Sequence, residues 1–425
     1  MTDATIEPVA EAELFRVFLR IGLLSFGGPA AQIALMHRVL VEEKRWLSER
    51  DYLNALSFCM MLPGPEAMQI ATYAGWRLRG IPGGLVAGLL FVLPGAVIIF
   101  ALATLYAAFG AVPLVATLFQ GVQAAALVIV LEALLRVSRK ALAHRGHWGI
   151  AGLSFVALFL LAVPFPLVVL AAGAYGALFG VRAAETQPSV ARVSGAGTLR
   201  VVVIGLVIWA LPVAVLALLS GLPILGQLGV FFSKLAVVTF GGAYAVLAYM
   251  AQDVVTGFGW LTATEMMDAL GLAETTPGPL ILVTQFVGYL AAYREGGYGL
   301  AMVGGLVVLW VTFVPCFLWI FAGAPYIGWI SAQPRLNAAL RAITAAVVGV
   351  ILNLSIWFGL HVLFDEVTRN MAGPVAVWLP DWATLDWRAL VLAVGSGVLL
   401  LRLHMGLGWV LGIAAGAAVL LGLIG

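Results

Sequence analysis

Pro63-Gly64-Pro65 and Pro277-Gly278-Pro279 each fall inside an otherwise apolar run. Proline removes a backbone donor and clashes with the preceding turn, so two prolines around a glycine break a helix. Proline also suits the first position of a new helix. Each motif therefore predicts a discontinuous span whose second half starts near Pro65 or Pro279. The N–H groups freed at such a start carry partial positive charge and bind anions. Irregular backbone persists inside a bilayer only where protein or a cavity satisfies it. A kink that merely shapes packing would account for one such motif, but two in register favour a binding site.

Phe26-Gly27-Gly28 and Phe240-Gly241-Gly242 form a second pair, preceded by Ser25 and Thr239. A glycine doublet serves close helix packing or local unwinding. The hydroxyl before it either donates to an oxyanion or bonds back to its own helix. Arg20 and Lys234 each precede a glycine, Gly27 and Gly241, by seven residues, close to two turns and so on the same face. Arg20 lies about 9 Å into its span at 1.5 Å per residue. A cation at that depth snorkels, or needs a partner or a wet path. A dianion suits both cations. Glu66 follows the first Pro-Gly-Pro and Glu274 precedes the second, with Leu280 and Met60 as their counterparts. Each acid reads as a carboxylate held by its surroundings or as a proton carrier that competes with the substrate. Gln69 and Gln285 lie about a turn beyond the breaks and are candidates to line the same cavity. Glu132 and Asn353 read as polar links between helices.

The elements that must position these residues are long and apolar. Apolar segments fall at 14–37, 51–76, 81–109, 112–135, 148–163, 165–181, 200–220, 225–251, 264–293, 297–323, 336–363, 387–402 and 405–424. That gives about thirteen spans for a hydrocarbon layer about 30 Å thick. The expected class is an all-α polytopic membrane protein with helices broken at Pro-Gly-Pro.

An internal repeat organises the chain. Phe18, Phe26-Gly27-Gly28, Trp46-Leu47, Ala55-Leu56 and Pro63-Gly64-Pro65 recur 214 residues later, and Pro94 and Ala124-Ala125 recur after 221. An N-terminal repeat covers 1–181, a linker and connecting span 182–224, and a C-terminal repeat 225–425. The connecting span makes the number of crossings between equivalent points odd, which predicts inverted topology. The basic residues Arg16, Arg77, Arg79, Arg136, Arg139, Lys140 and Arg145 then place the N-terminus in the cytoplasm.

Composition limits the function. The 425 residues are 63% hydrophobic and 10% charged, with a net charge of +2. This excludes a water-soluble surface and offers no basic field for nucleic acid. Cys59 and Cys316 read as small core residues rather than a disulfide. The acidic start lacks the basic region of a cleaved signal. With no metal cluster, nucleophile–base pair, P-loop or dinucleotide fingerprint, neither a cofactor nor an enzyme is expected.

At Ser25-Phe-Gly-Gly-Pro29, Pro63-Gly-Pro-Glu-Ala67 with Gln69, Thr239-Phe-Gly-Gly242 and Thr276-Pro-Gly-Pro279, the sequence resembles the chromate ion transporter family in its long, two-domain form. The resemblance covers nearly the whole chain. It implies an inner-membrane carrier that exports chromate and confers chromate resistance, of a kind often assembled as a homodimer. It also brings Thr276 into the candidate site. Sulfate shares the shape and charge of chromate and is the expected competitor or counter-substrate. An anion channel built on the same helix starts is the second reading.

Overall fold

The computed structural model describes residues 9–110, 112–180, 195–219, 221–240, 243–373 and 375–424. Gly241 and Gly242, half of the second glycine pair, lie outside the described residues. In chain order the helices are α1 (Glu11–Leu24), α2 (Gly28–His37), α3 (Glu49–Cys59), α4 (Glu66–Phe109), α5 (Pro113–Ala141), α6 (Arg145–Phe159), α7 (Phe165–Phe179) and α8 (Gly195–Leu219). They continue as α9 (Pro223–Val238), α10 (Ala243–Gln252), α11 (Ala263–Thr275), α12 (Val283–Gly323), α13 (Ile327–Ser331), α14 (Pro334–Leu363), α15 (Trp387–Gly397) and α16 (Leu407–Ile424).

Five helical stretches are long and apolar enough to cross a membrane: Glu66–Phe109, Pro113–Ala141, Gly195–Leu218, Leu280–Ile330 and Pro334–Leu363. Shorter apolar helices lie at Phe165–Phe179, Pro223–Val238 and Leu407–Leu423. The protein is a multi-pass membrane protein. The all-α expectation needs one amendment. Strands β1 (Val367–Ala372) and β2 (Val375–Pro380) pair antiparallel. Val367, Thr368, Val375, Val377 and Trp378 favour a pleated surface. The Ala376 N–H anchors the hairpin to the Leu160 carbonyl at 2.6 Å.

The helices before the two Pro-Gly-Pro motifs begin alike. Ser48 Oγ accepts from the Asp51 N–H at 3.1 Å, and Thr262 Oγ1 from the Glu265 N–H at 3.2 Å. In the second case Glu265 also accepts from the Thr262 N–H at 2.8 Å, completing a capping box. Both caps keep the 214-residue register.

The chain forms two compact units, and each draws on both halves of the sequence. One comprises Met1–Ala101, Ala183–Ala243 and Thr276–Pro334; the other comprises Leu102–Arg182, Tyr244–Thr275 and Arg335–Gly425. In the first, α4 and α12 each fold back on themselves. Helical geometry fails at Arg79 and Gly80 (φ 64, ψ −156), and at Gly296 and Gly297 (φ 71, ψ −163). Glycines bring the two arms together: a Cβ on Gly75 would lie 2.2 Å from the Gly83 carbonyl, and one on Gly304 would lie 2.5 Å from Ala292 Cβ. Phe18, Phe91, Phe232 and Phe286 fill the core of this unit, all fully buried.

In the second unit α5 packs on α16 through Ala125, Ile129, Val410, Leu411 and Ala414. A Cβ on Gly121 would lie 2.2 Å from the Ala414 carbonyl, so the helices meet backbone to backbone there.

Candidate functional site

The first unit contains both Pro-Gly-Pro breaks together with Ser25 and Thr239. Ser25 has φ −79 and ψ 63, and Thr239 has φ −75 and ψ 77. Each is the centre of an inverse γ-turn, closed by Phe26 N–H to Leu24 O at 2.9 Å and Phe240 N–H to Val238 O at 2.9 Å. Gly27 (φ 86) and Gly28 (φ 76) then take left-handed conformations that favour glycine, and Pro29 lies in the first turn of α2.

The turns release the Ser25 and Thr239 carbonyls, and the two repeats use them crosswise. The Gly64 N–H donates to Thr239 O at 2.9 Å, and the Gly278 N–H donates to Ser25 O at 2.9 Å. Gly64 and Gly278 have φ values of +118 and +91, out of reach for most side chains. The Pro94 and Pro315 segments close the other side of the breaks. A Cβ on Gly95 would lie 2.1 Å from the Pro277 carbonyl, and one on Gly64 would lie 2.7 Å from Cys316 Sγ. Pro63, Gly64, Pro65, Gln69, Thr239, Thr276, Pro277, Gly278 and Pro279 therefore share one compact unit with Ser25.

Buried amides surround the breaks. Gln69 Nε2 donates to Pro63 O at 2.7 Å, and Gln285 Nε2 to Ala96 O at 2.9 Å. The buried Oε1 atoms of both glutamines have no partner among the described residues. Gln32, unnoticed in the sequence, donates to Gly278 O at 2.6 Å and to Ser25 O at 3.2 Å. Its helix, α2, is apolar almost throughout, so a lone glutamine gave no periodic signal.

The hydroxyls take the local option. Ser25 Oγ donates to Ile21 O and Thr239 Oγ1 to Leu235 O, each at 2.6 Å. A substrate would meet their lone pairs unless the hydroxyls rotate. Helix starts in general lack intrahelical partners for their first N–H groups; α4 begins at Glu66 directly after Pro65, and the turn after Pro279 has no side-chain cap. The arrangement brings the broken helix starts and the buried amides together within a largely apolar setting.

The charged candidates lie apart from these breaks or at their edge. Glu66 is half-buried at the first position of α4, where the helix dipole stabilises its charge. Arg20 is 58% exposed and pairs with Glu43 at 3.6 Å, in the π-helical turn Arg38–Glu43. Lys234 is exposed on α9. Glu274 belongs to the second unit, where Tyr244 Oη donates to it at 2.8 Å. Glu132 pairs with Arg136 one turn along its own helix at 2.6 Å. A further acid of the second unit, Asp268, is buried and accepts from Tyr106 Oη at 2.6 Å and Gln123 Nε2 at 2.7 Å. Its acidic position within an apolar helix was the available sign of a buried network. Among the described residues no group of acids, histidines and cysteines could hold a metal.

The chromate transporter family profile matches residues 12–177 and again 226–421. Chromate transport protein of Pseudomonas aeruginosa is 35% identical over 82% of this chain and 82% of its own length. Chromate transport protein of Cupriavidus metallidurans is 32% identical over 85% of each. The uncharacterized transporter YwrA of Bacillus subtilis is 31% identical, aligning 94% of its length with 39% of this chain. No solved structure matches the chain.

Proposed function

Because this chain belongs to the chromate transporter family, we propose that it is a secondary transporter for chromate or a sulfate-like oxyanion, working by alternating access. In this reading it exports its substrate across the bacterial inner membrane and confers chromate resistance, with the N-terminus in the cytoplasm. The observation that carries the site is the crossed pair of main-chain bonds, Gly64 to Thr239 and Gly278 to Ser25, which assembles four helix breaks in one unit. Two relatives of similar length named as chromate transport proteins support the substrate.

An oxyanion brings acceptors on every face, so it is matched by clustered donors rather than by one counter-charge. The N–H groups after Pro279, the second N–H of the Gln69 and Gln285 amides, and the hydroxyls of Ser25, Thr239 and Thr276, with Ser25 and Thr239 rotated off their helical carbonyls, supply them in this reading. Gly27, Gly28, Gly241 and Gly242 let the backbone approach. Arg20 and Lys234 draw the dianion towards the unit. Glu66 and Glu274 carry protons, and protonation of Glu66 removes a charge that competes with the substrate. A homodimer is the expected assembly, tested by crosslinking in native membranes.

Flux in proteoliposomes tests the proposal, with chromate, sulfate, molybdate and phosphate under imposed pH and voltage gradients. Saturable chromate flux is expected, with severe loss in Arg20→Gln and Lys234→Gln at unchanged thermal stability. Normal chromate flux in both variants would remove the cations from the site. Sulfate preloaded inside the vesicles should accelerate labelled chromate entry. No acceleration would point instead to a channel.

A further inference from the structure

A groove of about 530 Å³ runs between α6 and α7 in the second unit. Its walls include Gly146, Gly149, Leu153, Ala157, Leu167 and Tyr175, and nearly all of its surface is apolar. Glycines in membrane helices usually let two helices touch. On α7 they do so, since a Cβ on Gly176 would lie 2.5 Å from the Ala338 carbonyl of α14. On α6 a Cβ on Gly146, Gly149 or Gly152 would meet nothing within 4 Å. Those glycines open a channel along the helix. From Gly146 to Ala157 it rises through eleven residue steps, about 16 Å at 1.5 Å per residue. A single leaflet of a bilayer core about 30 Å thick has the same depth.

The charge at one end of the groove identifies what lies in it. Arg139 and Lys140 in the last turn of α5, then His144 and Arg145, are all exposed at the Gly146 end. No acidic residue occurs between Glu132 and Glu185 to offset them. The start of α6 has no side-chain cap and no acid in its first turn; the His147 N–H bonds the His144 carbonyl at 3.0 Å, and the N–H groups of Arg145 and Gly146 point to an anion. Trp148 is 63% exposed beside this cluster, as an aromatic at the headgroup level would be. One end thus matches a phosphate and the remainder a hydrocarbon chain.

We propose that the α6–α7 groove holds an acyl chain of an anionic phospholipid, whose phosphate sits among Arg139, Lys140, His144 and Arg145 at the start of α6. The site lies in the second unit and does not depend on the oxyanion reading. To test it, the full chain is reconstituted in bilayers of equal phosphatidylglycerol and phosphatidylcholine. It is then extracted in mild detergent, and the phospholipid retained per chain is weighed by mass spectrometry.

The wild type is expected to retain phosphatidylglycerol over phosphatidylcholine. Each basic side chain contributes about fivefold to the binding of an anionic lipid near a membrane surface. The triple variant R139Q/K140Q/R145Q should therefore bring the two lipids to parity. Gly149→Trp fills the channel and should release the retained lipid without lowering thermal stability, since its Cβ meets no neighbour. The charge variant alters exposed positions only, and its result decides the proposal if the tryptophan variant is not recovered folded. Equal retention of both lipids by the wild type overturns the proposal. So does undiminished phosphatidylglycerol in Gly149→Trp, or a change from dimer to monomer in that variant, which would make a second copy of the chain the occupant.

Discussion

Gln69 occupies two roles that a substitution can separate. Its Nε2 ties down the Pro63 carbonyl, while its buried Oε1 has no partner among the described residues. Leaving the Pro63 carbonyl without its donor costs about 1–3 kcal/mol, and removing an unpaired buried acceptor returns a similar amount. Gln69→Leu is therefore expected to leave thermal stability within about 1 kcal/mol of wild type. If the amide serves the oxyanion, saturable chromate flux in proteoliposomes falls severely in the same variant. Retained flux at wild-type stability would assign Gln69 to packing. Ser25 and Thr239 show why residue roles are hard to read from types alone. A hydroxyl before Gly-Gly suits a substrate or its own helix equally, and the i−4 carbonyl is always within reach.

At the scale of elements, two kinds of positive-φ glycine make opposite predictions. Gly27 has φ 86 and ψ 24, within reach of the left-handed region that asparagine tolerates. Gly80 has φ 64 and ψ −156, a region essentially restricted to glycine. Asparagine should thus be milder than alanine at position 27, whereas Gly80→Asn and Gly80→Ala should both lose about 1–3 kcal/mol. Thermal unfolding in detergent distinguishes these outcomes. The places where helices break were legible in the sequence: Pro-Gly-Pro, Phe-Gly-Gly, and the gaps between segments at 76–81 and 293–297. The hairpin at 367–380 was not, because its polar residues interrupt the apolar periodicity and its pairing partner is a distant carbonyl at Leu160. The capping residues Ser48 and Thr262 were present in register but lie just before the apolar runs at 51–76 and 264–293, where hydropathy carries no signal for a cap.

For the whole molecule, the informative point is that neither half of the sequence builds a unit alone. The register of 214 residues was visible, but not which copy's break pairs with which, since side-chain patterns carry no record of main-chain partners. The Gly64–Thr239 and Gly278–Ser25 bonds both cross between repeats. Residues 1–181 or 195–425 expressed alone should therefore be degraded or aggregate, and their co-expression should restore a purifiable complex with chromate flux. Pull-down of one tagged half by the other checks this, and a monodisperse, protease-resistant single half would count against it.

The crossed bonds also bear on how the two copies drift apart. They run from amide to carbonyl, so they are indifferent to side-chain identity as long as glycine keeps its unusual φ at 64 and 278. Substitutions beside them can then accumulate in one copy without unbuilding the other. Glu66 with Leu280 at its counterpart position, and Gly95 with Cys316 at its counterpart position, are divergences of this kind. A frame that is near-symmetric in its main chain can thus carry two sets of side chains that diverge independently.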